Sequence, residues 1–193
     1  MTSARCLLPP AQRGFTLIEL IIFIVIVTVA LAGVLSVLTQ STSRSADPQL
    51  RRQALAIAES LLEEVQLMPF TYCDPDDATV DSATSATVGA GACTAVVEAI
   101  GPEAGEGRTG ATLFDNVNDY NGFAMASGIT DITGAAVPGL GAYSASIAVQ
   151  ASALHTISAA GDALRITVTV NGPGATVVKL EGWRTRHAPN AAY

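Results

Sequence analysis

The side chains able to do chemistry in this sequence are mostly carboxylates. Acidic residues outnumber basic ones 17 to 10 in 193 residues, and they gather at Asp74, Asp76 and Asp77 and again at Asp115 and Asp119. Clustered oxygens of this kind suit hard cations. Setting Asp119, Asn121 and Gly122 at the third, fifth and sixth places of a calcium loop puts Val117 first and Gly128 last, where carboxylates are needed, so that template fails. A different geometry around either cluster stays open, but solvated turns are the commoner outcome, and no metal or other cofactor is assigned. His155 and His187 stand alone in sequence, as surface or turn residues do. There is no G-x-S-x-G elbow, H-E-x-x-H helix or phosphate-cradling glycine loop, so no catalytic residue and no small-molecule substrate is expected. The acidic balance, with Lys179 as the one lysine, argues against nucleic acid as a partner.

Three cysteines occur, at 6, 73 and 93. Their flanks lack the spacing of a zinc site or a redox C-x-x-C. In an oxidising compartment Cys73 and Cys93 read as a disulfide; in a reducing one they would be two buried thiols.

Glu19 is the carboxylate that most needs explaining. It sits inside an almost wholly apolar run, residues 15–38, whose 24 residues would extend about 36 Å as a helix against a hydrocarbon thickness of ~30 Å. A charge inside such a span costs ~2.5 to 3.5 kcal/mol on insertion scales. Arg5 and Arg13 precede the run and would hold the N-terminus in the cytoplasm, although Arg44, Arg51 and Arg52 follow on the far side. An ordinary signal peptide is a rival reading, with a small-x-small site at Ala30-Leu31-Ala32 that would release a chain beginning at Gly33. A plain anchor and a buried core helix are the others.

The residues Arg13-Gly14-Phe15-Thr16-Leu17-Ile18-Glu19 resemble the cleavage and methylation motif of type IV prepilins and type II secretion pseudopilins. The resemblance implies a leader over residues 1–14, cut by a prepilin peptidase between Gly14 and Phe15, with Phe15 as the new N-methylated terminus. It implies that the apolar helix is retained, and that Glu19 pairs with the terminal amine of a neighbouring subunit when helices bundle. Other pilin subunits are then the partners. The bacterial inner membrane comes first and a cell-surface pilus or periplasmic pseudopilus afterwards.

Past the apolar run, Asp47-Pro48 predicts a kink or short break, because proline lacks the backbone donor and disfavours helix before it. Leu50, Ala54, Ile57, Leu61, Val65 and Met68 then recur at helical spacing, giving an amphipathic helix over 49–68. The N-terminal helical region is thus 15–70, with residues 15–38 transmembrane, and the globular head is 71–193. Residues 53–64 (QALAIAESLLEE) and 114–123 (FDNVNDYNGF) also resemble minor pilins of the MshD kind, from the mannose-sensitive haemagglutinin (MSHA) pilus family.

Residues 73–110, rich in Asp, Ala, Thr, Ser and Gly, read as long loops, with at most a brief element over 94–100. Residues 143–151, 163–170 and 176–185 read as strands, the last two joined by a turn at Asn171-Gly172-Pro173-Gly174. Ile166, Val168 and Val170 should face the core, with Arg165, Thr167 and Thr169 on the other side, and Trp183 is expected to pack inside. The fold class is α+β, pilin-like: a long N-terminal helix packed on a small antiparallel sheet with long loops. Three functions remain in view: a structural minor pilin that enters a type IV pilus or starts its assembly, a secretion pseudopilin, and a secreted or anchored binding domain such as an adhesin head.

Overall fold

The computed structural model describes residues 14–157 and 161–191, with the backbone alone over 40–47. Residues 1–13, which hold Arg5 and Arg13 and most of the leader expected over 1–14, lie outside the described residues. Helix α1 spans Leu17–Leu67, and the chain divides into two compact units between Ala46 and Asp47.

In the first unit the part of α1 from Leu17 to Thr39 is apolar on every side, with Glu19 as its one charged residue. The large side chains Phe15, Leu17, Ile18, Leu20 to Ile26, Val29, Leu31, Val34, Leu35, Val37 and Leu38 are all exposed. Thr28 and Thr39 turn their hydroxyls back onto the carbonyls of Ile24 and Leu35, which satisfies those two hydroxyls within the helix. Of the kink or short break expected at Asp47-Pro48, no break occurs: Pro48 lies within α1. A proline removes a single intrahelical hydrogen bond, and the turns on either side supply the rest.

The second unit is built on the amphipathic part of α1. Ala54, Ile57, Leu61 and Val65 are buried, as their spacing predicts, and Ala58 joins them. Against this stripe lies a four-stranded antiparallel sheet in the order β1 (Ala124–Met125), β2 (Ser144–Ala151), β3 (Ala163–Gly172), β4 (Thr176–Thr185). Period-two alternation sets the faces: Ile147 and Val149 of β2 and Ile166, Val168 and Val170 of β3 enter the same core as the helix stripe. The Tyr143 hydroxyl donates to Gln53 Oε1 at 2.8 Å, tying the start of β2 to the helix.

Two expectations for the sheet need correcting. The β3–β4 turn begins two residues later than expected: Asn171 and Gly172 remain paired, with Gly172 opposite Thr176, and the chain reverses through Pro173, Gly174 and Ala175. Trp183 is half-buried and outside the core cluster. It pairs with Arg165 on the outer face, whereas the inner row of β4 is Val178, Leu180 and Gly182, opposite Val170, Val168 and Ile166. Glycine stands in that row because the helix comes close: a Cβ at Gly182 would sit 2.6 Å from Gln66 Nε2 and 2.9 Å from Leu62 Cδ1.

Between α1 and β2 the described chain is mostly loop, broken by a 3-10 turn at Val117–Tyr120, the short β1 and isolated bridges such as Cys73 to Val97. A second, smaller core forms around the Cys73–Cys93 disulfide with Val80 and Ala83. The chain returns to this small core near its end, where Asn190 Nδ2 donates to the carbonyls of Val80 and Ala83. Arg186 lies 4.2 Å from the Phe70 ring centre and 4.6 Å from that of Tyr72.

Candidate functional site

Two groups of residues stand out, one at the start of α1 and one among the loops of the second unit. At the helix start, the backbone N–H of Glu19 donates to Thr16 Oγ1 at 3.3 Å. Thr16 is therefore the N-cap, and the spacing Thr16-x-x-Glu19 is the capping-box pattern, a helix-start signal that the sequence reading passed over. Gly14 and Phe15 precede this cap in open chain. Nothing lies within 4 Å of where a Gly14 side chain would begin, and Phe15 is 83% exposed. Glu19 is exposed in the first turn, where the helix dipole favours a negative charge. It has no ion pair among the described residues. From Leu17 to Thr39 the helix is long and apolar enough to cross a membrane, and none of that window is buried.

The second group is a nest of carboxylates drawn from three loop segments. Asp74 follows the disulfide residue Cys73. Glu98 is placed by its N–H, which donates to the Tyr72 carbonyl at 3.2 Å beside the Cys73–Val97 bridge. Asp119 lies in the 3-10 turn, whose start is fixed twice over: Val117 N–H donates to the Pro69 carbonyl, and Asn116 Nδ2 donates to Thr71 Oγ1 at 2.8 Å. The turn and the Glu98 segment are bound to each other through Gly101 N–H to the Asn118 carbonyl and Asn118 Nδ2 to the Ala99 carbonyl.

These ties bring one oxygen each of Glu98, Glu103 and Asp119 within 4.8 Å of one another. Asp74, Asp76 and Asp115 meet in the same way, as do Asp74, Glu103 and Glu106, so the three groups overlap. Burial is deep at one end. Asp119 is fully buried and Glu98 is 8% exposed. Asp119 Oδ2 accepts from the N–H groups of Asp115 and Asn116 at 3.0 and 2.7 Å. Its Oδ1 and both oxygens of Glu98 have no hydrogen-bond partner among the described residues.

The electrostatic consequence is large. Burial first, then the charges of Asp119, Glu103, Asp74 and Asp115, push the Glu98 carboxyl up to about 10. Burial, then Asp119, raises Asp115 to about 7. Burial raises Asp119 to about 6 against the pull of its two backbone hydrogen bonds. Glu103 rises to about 7, through burial and its contact with Glu106.

The acidic residues singled out in the sequence thus have divergent roles. Asp74, Asp76, Asp115 and Asp119 join the nest, and Asp74 and Asp119 are buried rather than solvated. Asp77 instead serves the backbone: it accepts from the N–H groups of Thr79, Thr94, Ala95 and Val96 at 2.8 to 3.0 Å. Those bonds, Thr79's first, hold its carboxyl well below the usual range. Sequence reasoning missed Glu98, Glu103 and Glu106, which sit singly in loops with no spacing to mark them. His155 and His187 are exposed and belong to neither group.

Residues 9–35 match the family model of the prokaryotic N-terminal methylation motif, a match that supports a type IV pilin or pseudopilin-like protein. No curated protein matches the chain, and no solved structure does.

Proposed function

We propose that this chain is a structural filament subunit of the type IV pilin kind. A prepilin peptidase cuts it between Gly14 and Phe15, Phe15 is methylated on its new amine, and the apolar helix is retained and packs against other pilin subunits. The observation that carries this reading is the exposed apolar surface of α1 from Leu17 to Thr39, with its single carboxylate, Glu19, one turn beyond an open Gly14-Phe15 junction inside the matched motif.

Physical chemistry supplies the assembly logic. While the subunit waits in the inner membrane, N-terminus cytoplasmic, lipid covers the apolar surface and Glu19 lies near the headgroups. In a bundle, sister helices take the place of lipid. A Glu19 carboxylate beside the Phe15 amine of a neighbour then gives both charges a partner in a low-dielectric setting, whereas stranding either one costs several kcal/mol. That difference favours one axial register between neighbours. The role needs no catalytic residue, so the function is structural rather than enzymatic. The Cys73–Cys93 disulfide fits a head that matures in an oxidising compartment.

The finer assignment is a minor pilin of the MSHA type, entering the pilus or priming its assembly. It is supported by the likeness of residues 53–64 and 114–123 to minor pilins of the MshD kind. A type II secretion pseudopilin would use the same helix and head.

Mass spectrometry of the N-terminus in the membrane fraction tests the proposal. A chain beginning at methylated Phe15 is expected; one beginning at Gly33, or an intact Met1, overturns it. Crosslinking through α1 then identifies the neighbouring subunits and separates pilus from pseudopilus.

A further inference from the structure

We infer that the second unit carries a binding site for a sugar acid, free or as a residue of a glycan, in the pocket where the end of β4 meets the chain leaving α1. Local pairing builds the place. The β3–β4 ladder continues one step past Ala163 and Thr185, with the Arg186 N–H donating to the Asp162 carbonyl at 2.9 Å. Two residues earlier, Arg184 Nη2 donates to the Met68 carbonyl at 3.1 Å, which fixes this strand end against the segment after α1. Arg186 is thereby laid over Phe70 and Tyr72. Beside it a cavity of about 280 Å³ opens between Tyr72, Ile157, Asp162, Thr185, Arg186 and His187. That volume is at the small end for ligand pockets and suits a single sugar ring.

The polar groups around this cavity are positioned but unengaged. The Arg186 guanidinium is in no ion pair among the described residues, and its Nε is buried with no hydrogen-bond partner. The aromatic faces at 4.2 and 4.6 Å attract the cation but accept no ordinary hydrogen bond from it. Burial, only partly offset by the charge of Asp162, moves this guanidinium below its ordinary value, as a cation short of a counter-charge should be. Among the described residues, no side-chain hydrogen bond occupies the Tyr72 hydroxyl, the Thr185 hydroxyl or the Asp162 carboxylate. His187 turns Nδ1 to the Thr185 carbonyl at 3.1 Å, which leaves Nε2 for another partner.

This mixture of groups selects the ligand. The planar fork of an arginine receives a carboxylate through charge-assisted hydrogen bonds. An inorganic anion or a plain acidic side chain would gain Arg186 but meet the charge of Asp162 across the same cavity. A sugar acid satisfies both: its carboxylate goes to Arg186, and its ring hydroxyls donate to Asp162 and to His187 Nε2. The hydroxyls of Thr185 and Tyr72 serve as donor or acceptor to the rest of the ring. A neutral sugar would leave the cation unmatched. The inference uses only residues of the head and is independent of the filament reading.

The test uses the full chain in micelles of a detergent without a sugar headgroup, titrated by calorimetry with D-glucuronate, D-galacturonate and N-acetylneuraminate. D-glucose, acetate and inorganic phosphate are the comparisons. At least one sugar acid should bind one to one with a Kd on the order of a millimolar, as a ligand of this size reaches at ordinary efficiency, and about tenfold tighter than any comparison ligand. Oligomers of the same sugar acid separate the two sources: tighter binding of the oligomer identifies a glycan, equal binding a free sugar acid. Arg186→Gln should weaken binding by about tenfold or more. Asp162→Asn, which leaves the aromatic contacts of Arg186 in place, should lower the preference for the sugar acid over acetate by about fivefold. The inference is overturned if no sugar acid binds at about 50 mM, far above the expected Kd. It is equally overturned if acetate, phosphate or glucose binds as tightly as the sugar acids, or if both variants bind as the parent does. Binding that emerges only in Asp162→Asn also overturns it, because Asp162 then closes on Arg186 and takes the ligand's place.

Discussion

Arg108 holds Glu64 from 44 residues away in the chain, its Nε and Nη2 donating to the two carboxylate oxygens at 2.7 and 2.8 Å. The pair is nearly closed to water, with side-chain exposures of 6% and 14%. Glu64 also accepts from the Tyr120 hydroxyl at 2.9 Å, and Arg108 donates on to the carbonyls of Thr130 and Asp131. One charged residue on α1 thereby orients the 3-10 turn and the loop before β2 together.

Removing either partner leaves the other buried and bare. Arg108→Met or Glu64→Gln should destabilise the head by about 3 to 5 kcal/mol in denaturant unfolding of the full chain in micelles. The double variant should recover part of that loss, because no stranded charge remains.

The same pair has a pH signature. Burial pushes the Glu64 carboxyl up, but hydrogen bonds from Arg108 and Tyr120, with the Arg108 charge, outweigh it and hold the net value below the ordinary 4.5. A carboxyl depressed in the folded state contributes stability above its unfolded value and loses it as pH falls through the folded one. The stability gap between the parent and Glu64→Gln should therefore be full at neutral pH and shrink on acidification below about 4.5. A gap independent of pH would mean that the carboxylate charge contributes nothing.

Reducing the Cys73–Cys93 bond, or replacing it by Cys93→Ser, should cost about 3 kcal/mol for a loop of this length. Because Val80 and Ala83 pack in the small core around that bond, hydrogen exchange should rise first in residues 73–97, before the main core.

Asp77→Ala should release the backbone N–H groups of Thr94, Ala95 and Val96. Loss of their amide protection, with protection of β3 unchanged, is the expected pattern in hydrogen exchange.

Glu19→Ala should leave leader removal intact and reduce incorporation into filaments, measured by the ratio of sheared to membrane-bound subunit. Normal incorporation would count against the pairing proposed for Glu19. Gly14→Leu should instead block maturation at the earlier step.

The regular elements were legible in the sequence because each has a short-range period. The helix stripe from Ala54 to Val65 and the alternation of Ile166, Val168 and Val170 could be read from neighbours alone. The place of Trp183 depends on the register: with Val170 opposite Val178, parity puts Gly182 inside and Trp183 outside. Size suggested core, but the close approach of Leu62 and Gln66 reserved the inner place for glycine. The helix start is also written locally, in the Thr16-x-x-Glu19 spacing, where Glu19 serves the cap as well as carrying the charge. The carboxylate nest is a different case. Glu98, Glu103 and Asp119 meet only because unrelated loops are fastened to one another by backbone bonds, and no pattern in the chain announces that meeting.

The bare surface of α1 has a consequence for the life of each molecule. Sixteen large apolar side chains between Phe15 and Leu38 are exposed, and shielding them would release on the order of 20 kcal/mol. That exceeds the roughly 5 to 15 kcal/mol that holds an ordinary domain folded. For a filament subunit of the kind proposed, prompt delivery of that greasy end to lipid or to kin therefore matters to each new copy at least as much as the soundness of its head.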